Sequence, residues 1–304
     1  MSATASLKPG SQPGALGDLT AQPPRSLFRD ARRRLFSSWN GRVGLLIILI
    51  ALATAVLAPI VSPYDPTIDS DLANARLEPS LDHPFGTDRL GRDVFRRIVH
   101  GTRISLTIGF VVVIFTSITG TVLGLIAGYF GKGLDTVIMR VMDIVLAFPS
   151  ILLAIAIVAV RGPGVFNTIL AVAVVGVPGY ARVVRSMVLS LRERDYVDAA
   201  RMIGVSNTRI MFLHILPNSL SPIIVQMTLG VGGAILFAAA LGFLGLAVQP
   251  PAPEWGAMIS DGIPFLRQAP HLVFFPGMAI MFTVLGFNLL GDGLRDALDP
   301  QLRD

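Results

Sequence analysis

Few residues in this chain could do chemistry, and they do not converge. His83, His100, His214 and His271 stand singly, in or beside connections between apolar runs. No HExxH, GxSxG or EF-hand spacing of carboxylates occurs, so the usual zinc, serine-nucleophile and calcium patterns are missing. The chain has no cysteine, which excludes disulfides, thiolate metal ligands and cysteine nucleophiles. GYFGKG at 128–133 resembles a phosphate-binding loop, but Ile126 stands where its first glycine belongs and Gly133 where Ser or Thr would meet magnesium. No catalytic residue, bound cofactor or metal is therefore expected here. If the protein does ATP-driven work, ATP and Mg²⁺ belong to another chain.

What remains is the chemistry of contact. DAARMIGVSNTRIMFLHILPN, residues 198–218, is charged and amphipathic between two long apolar segments. Residues 191–203 favour helix. Gly204 supplies the left-handed position that ends helices cheaply. Ser206 suits the N-cap of a second helix, whose apolar Ile210, Leu213 and Ile215 lead to Leu216 and Pro217. Pro217 is expected to interrupt that helix, and Ser221-Pro222 to cap the next span. Ala199 and Ala200 offer a flat face that a partner groove could approach closely.

The elements that must hold this hairpin are spans. The chain has 304 residues, 52% hydrophobic and only 15% charged, against about 25% charged in soluble domains. Apolar runs of roughly 20 residues cross a hydrocarbon core about 30 Å thick. The pI of 10.2 does not point to nucleic acid, because the arginines flank spans and report topology. The first span is GLLIILIALATAVLAPIV, preceded by Arg25, Arg29, Arg32, Arg33, Arg34 and Arg42. Five more are expected at 103–130, 135–160, 164–189, 219–248 and 271–291, with both termini and the 190–217 loop cytoplasmic. Arg182, Arg185, Arg192, Arg194, Arg201 and Arg209 mark that loop and its margin as inside, whereas the outer loop 249–270 carries only Arg267. The organisation is a disordered 1–24, a unit 25–102 holding the first span, a five-span core 103–291, and a tail 292–304.

One segment strains the charge rule. GTDRLGRDVFRRIVHGTR, residues 86–103, is basic yet falls outside, and it also reads as an interfacial helix with Leu90, Val94 and Ile98 toward lipid and Arg89, Arg92, Arg96 and Arg97 toward head groups. Gly120, Gly124 and Gly128 line one helix face, for close packing within this chain or against another subunit. Arg140 and Asp143, three apart, are expected to pair with each other. Asn167, Gln226 and Asn288 suit bridging between helices.

The loop resembles the EAA loop of ABC-importer permeases: EAA, three residues, Gly, nine residues, Ile, any residue, Leu-Pro. Here the pattern reads Asp198-Ala199-Ala200, Gly204, then His214-Ile215-Leu216-Pro217-Asn218. Asp replaces Glu, and His214 takes the Ile place, as in the peptide-type branch. HPFGTDRLGRDVFRRIVHGTRISL, MRVMDIVLAFPSILLAI, LGFLGLAVQPPAPEWGAMISDG and NLLGDGLRDALDP extend the resemblance to the C-type permease of dipeptide, oligopeptide and nickel importers.

That resemblance implies an all-α membrane protein with six transmembrane helices, a type I ABC importer permease fold and a cytoplasmic coupling hairpin. It implies a multi-pass subunit of the plasma or inner membrane that imports peptides. Its partners would be a homologous B-type permease, two ABC ATPases, an extracytoplasmic substrate-binding protein and the lipid bilayer. Asp198, Ala199, Ala200, Met202, Ile203, Gly204 and Arg209 would meet an ATPase, while Ser206, His214, Leu216 and Pro217 shape the hairpin. Ser117, Thr121, Gln226 and Asn288 are candidates to line the pathway. Trp255 and Asp261, in a proline-rich outer loop, are placed to meet the binding protein or to stiffen the connection. An ion-coupled secondary carrier, a non-transporting scaffold, and a relative that carries nickel chelates or glutathione are the alternatives.

Overall fold

The computed structural model describes residues 27–65 and 69–298; the stretch 1–24 and the end of the tail lie outside them. Nearly every described element is helical. Helix α1 (Leu27–Ser37) leads to α2 (Trp39–Val61), whose entry is fixed by Ser38 Oγ accepting from the Gly41 amide at 3.0 Å. Helix α2 is apolar along nearly its whole length and packs against α1 and against the later helices Val94–Phe130 and His271–Leu298, leaving Leu46, Ile50, Val56 and Ile60 more than half exposed, as suits a lipid-facing span.

Helix α3 (Val94–Phe130) begins at Val94, well before the expected 103. Asp93 is the reason: its carboxylate caps the helix by accepting from the Arg96 amide at 3.0 Å. The interfacial-helix reading of 86–103 is overturned as well. Val94 and Ile98 are buried, and so are Arg92 and Arg97, which converge on the buried Asp88 carboxylate at 2.7 and 2.6 Å. These arginines are paired inside the fold and present no free positive charge to the membrane surface.

Helix α4 (Lys132–Ala147) and helix α5 (Ser150–Arg161) meet at 90°. The single span expected at 135–160 is therefore broken. Pro149 has no amide hydrogen to donate, and it forces Phe148 into extended backbone, which ends α4. Helix α6 (Val165–Leu191) returns, its approach fixed by Asn167 Nδ2 donating to the carbonyls of Arg161 and Gly162. Asn167 thus ties a turn rather than bridging distant spans.

Helix α6 lies along α3 through the glycine stripe. A Cβ on Gly124 would stand 2.6 Å from the Ala181 carbonyl oxygen, and one on Gly128 would stand 2.7 Å from Val188 Cβ. Gly120 meets Tyr180 of the same helix. Of the two uses the stripe allowed, close packing within the chain is the one realised.

Two short helices follow, α7 (Asp195–Met202) and α8 (Asn207–Arg209), and then a wide π turn (Ile210–Ile215) that runs directly into α9 (Leu216–Phe243). Pro217 does not interrupt this helix. It follows the π turn, where the Leu216 amide already reaches back to the Met211 carbonyl, so the altered ladder absorbs the missing donor. Pro222 lies inside α9 rather than at its start, and α9 ends at Phe243 instead of 248. Helix α10 (Trp255–Gly262) packs on α9 and α11 (His271–Leu298), and α11 continues past the expected 291. Five described helices are long and apolar enough to span, or six when the bent α4–α5 pair is one span.

Candidate functional site

Chain chemistry shapes the hairpin from its base. Arg192 caps α6, and its Nη1 donates across to the Gly128 carbonyl of α3 at 2.9 Å. Helix α7 ends where Gly204 takes φ +80°, a value that L side chains rarely adopt. The Val205 amide donates to the Ala200 carbonyl at 3.1 Å, and the Gly204 amide to the Arg201 carbonyl at 3.0 Å. This pair of bonds is a Schellman ending, which satisfies carbonyls that the helix end would otherwise leave open.

One apolar cluster roots the hairpin. Val197, Ala200, Ile210, Met211 and Ile215 are buried against Leu125, Val184, Val188 and Ile223, at the ends of α3, α6 and α9. Ala200 therefore belongs to the root and not to the outer face. Asp198, Ala199, Met202, Ile203, Gly204 and Arg209 are all exposed, together with Tyr196, Arg201, Ser206, Asn207 and Thr208 of the same turn. Met202 is 82% exposed and Ile203 81%. Two large apolar side chains held at the tip of a rooted turn suit contact with another protein.

The polar side of the hairpin faces a cleft lined by Tyr129, Arg192, Glu193, Asp198 and Arg201. Asp198 pairs with Arg201 at 3.0 Å, and the Arg201 guanidinium lies 5.4 Å from the centre of the Tyr129 ring. Tyr129 and Asn207, joined at 2.8 Å, were not singled out from the sequence. Sequence spacing gives no signal for a contact that closes a long loop. Ser206 occupies the N-cap position, but its side chain makes no capping bond. His214 is half-buried and its carbonyl accepts from Asn218 Nδ2 at 2.7 Å; Leu216 is half-buried and Pro217 exposed.

The other candidates separate. Ser117 is buried and its hydroxyl returns to the Ile114 carbonyl, so it faces packing and no open path. Thr121 and Gln226 are half-buried on α3 and α9, and Asn288 is exposed on α11. Trp255 is 1% exposed and donates from Nε1 to the Ile98 carbonyl at 3.2 Å, so it anchors α10 to α3 and offers nothing outward. Asp261 is accessible and lies 3.2 Å from Arg89 and 4.0 Å from Arg97. Arg140 and Asp143 do not pair. Asp143 instead accepts from Arg182 Nη2 of α6 at 2.7 Å, while Asp135 takes Arg185 in a two-pronged pair.

Beyond the far end of α9 from the hairpin, Glu254 is buried at the start of α10 and accepts from the amides of Gly256 and Ala257 at 2.9 and 2.8 Å. Burial pushes its carboxyl above the usual range, and the two amide bonds offset that only in part. Burial likewise raises the Tyr64 phenol, with Arg97 and Arg92 acting in the opposite direction.

Comparisons with known proteins agree along the chain. The family model for binding-protein-dependent transport system inner membrane components matches residues 120–304. The model for the N-terminal TM domain of oligopeptide transport permease C matches residues 26–79. The dipeptide transport system permease protein DppC of Alkalihalophilus pseudofirmus is 54% identical over 278 residues, 91% of each chain. The glutathione transport system permease protein GsiD of Pectobacterium atrosepticum is 46% identical over 279 residues, 92% of this chain and 93% of that one. Among solved structures, an inward-facing conformation of the MetNI methionine ABC transporter aligns with a TM-score of 0.55 at 20% identity, over 67% of this chain and 96% of that one. That last likeness is one of fold.

Proposed function

The chain belongs to the family of binding-protein-dependent transport system inner membrane components, as a C-type permease subunit of a peptide-type ABC importer, and from that premise we propose that hairpin 190–217 is where a separate ATPase drives it. The observation that carries this is the exposed Met202–Ile203 tip on a turn rooted in α3, α6 and α9. A partner that moves a rooted turn moves the spans beneath it, whereas a floppy loop would dissipate the displacement.

In this reading the hairpin and both termini face the cytoplasm. ATP and Mg²⁺ are held by two ATPase subunits, and a homologous B-type permease completes the pathway. An extracytoplasmic binding protein delivers cargo toward the side that carries α10 and Asp261. Closure of the ATPases on ATP pushes the hairpin, and α6 and α9 rock the chain between inward-open and outward-open states. The cargo is a short peptide: DppC and GsiD relatives are named for dipeptides and for glutathione, itself a tripeptide.

Because the chain has no cysteine, Ile203→Cys introduces a single thiol at the tip. In the assembled transporter it should cross-link to an ATPase subunit through a short bifunctional reagent. Cross-linking only to the B-type permease or to the binding protein would rule out the assignment. Uptake driven by an ion gradient without ATP would favour a secondary carrier.

A further inference from the structure

Charge is scarce along the spanning helices, and the exposed pair Arg182–Asp143 is placed where lipid would not tolerate it. The two side chains are 52% and 53% exposed and lie 2.7 Å apart. Arg182 precedes the end of α6 at Leu191 by about 14 Å of helix, and Asp143 follows the start of α4 at Lys132 by about 16 Å. Arg182 is half a helical turn from Val184 in the root of the hairpin, so the pair lies within a core about 30 Å thick but toward its hairpin side. Arginine can extend its stem toward an interface. Aspartate has one methylene and cannot. Charged groups at such depth face a bundle interior or water, and the chain itself covers neither of these.

Helix α4 carries three distinct faces. Met142 is buried, while Val137, Val141 and Ile144 form an exposed apolar stripe suited to lipid. Thr136, Arg140 and Asp143 form a second exposed stripe, and this one is polar. At about 100° per residue the two stripes are roughly a quarter-turn apart. On α6, Gly179, Arg182 and Ser186 share one exposed face at spacings of three and four. A Cβ on Gly179 would find only Gln226 Nε2 of α9, at 3.9 Å. The Oε1 atom of that same Gln226 is buried without a hydrogen-bond partner, an unmet need that water supplies well.

We propose that the polar stripe of α4 and the Gly179–Arg182–Ser186 face of α6 form a hydrated wall of the translocation pathway, whose opposed charges accommodate the ammonium and carboxylate ends of a peptide in transit. The inference rests on the permease reading and assigns the part of the chain that cargo passes. It moves the pathway away from Ser117, which is packed inside.

The cysteine-free chain makes the test direct. Thr136→Cys and Ser186→Cys, with Ile144→Cys as a lipid-facing control, are assembled with the partner subunits in open membrane fragments and treated with a sulfonated, membrane-impermeant maleimide. Both wall positions should react several-fold faster than the control, and their rates should change when the ATPases are trapped with ATP and vanadate. Reaction no faster than at Ile144→Cys would overturn the wall, whether lipid or the partner permease covers it. At Ser186→Cys, adding Arg182→Gln should raise the ratio of cationic to anionic methanethiosulfonate reactivity about threefold or more, because a confined charge sets the local ion concentration. An unchanged ratio would overturn its charged character. ATP dependence of peptide uptake by the unsubstituted protein is scored separately in sealed vesicles; it bears on the permease reading alone.

Discussion

Tyr129, in the last turn of α3, donates its phenolic hydrogen to Asn207 Oδ1 of the hairpin at 2.8 Å, while the Arg201 guanidinium lies over the same ring. One buried side chain thus ties both arms of the turn to a spanning helix that the turn does not adjoin in sequence. Tyr129→Phe keeps the ring and removes the bond, at about 0.5–1.5 kcal/mol. The expected outcome is a normally assembled transporter that hydrolyses more ATP per peptide imported. An unchanged ratio of hydrolysis to uptake would mean the bond plays no part in coupling.

The Asp88 cluster should behave as a structural keystone of the segment that leads into α3. Asp88→Ala leaves Arg92 and Arg97 buried without their carboxylate, a loss of about 3–5 kcal/mol. Arg89, nearly half exposed beside Asp261, should cost no more than about 1 kcal/mol when replaced by Ala. Thermal unfolding of the two variants in detergent checks the contrast.

Glu254 predicts a pH dependence. Its folded-state pKa is raised above the ordinary 4.5 by burial, so the folded chain holds the proton more tightly than the unfolded one. The associated stability is fully present below the unfolded value and is lost as pH rises through the raised folded value. Melting temperature should therefore fall across that window in the wild type, and Glu254→Gln should flatten the slope. Equal slopes in the two proteins would remove Glu254 as its source.

The glycine stripe makes a packing prediction. A methyl at Gly124 meets backbone and Cβ atoms of α6, whereas one at Gly233 meets nothing within 4 Å. Gly124→Ala should cost about 1–3 kcal/mol through forced separation of α3 and α6, and Gly233→Ala should leave stability near the wild type, as denaturation of the purified assembly will show.

Much of this architecture was legible in the residues because its causes are local. Gly204 ends α7 through a φ that only its own lack of a side chain makes cheap, and four-residue glycine spacing forces close approach by any neighbour. The third span was legible only as an apolar run at 135–160: Pro149 cannot continue α4, and the 90° size of the break depends on what α4 and α5 pack against. Pairings failed where they are non-local. Arg140 and Asp143 share a helix at workable spacing, yet α6 brings Arg182 to Asp143 from far along the chain. Trp255 looked available in a polar, proline-rich loop, and only the fold shows it filled against Ile98. Ala200 matched its motif position, but the turn directs it into the root while its neighbour Ala199 stays outside.

Entry of force through the hairpin tip is tested most directly by Ile203→Asp. The side chain is 81% exposed, so the substitution spares the fold while placing a charge in the proposed contact. In proteoliposomes holding the complete assembly, ATP-dependent peptide uptake should fall about tenfold or more, the effect of losing about 1.4 kcal/mol at the contact, with the chain still inserted and still paired with its partner permease. Uptake at the wild-type rate would contradict the account.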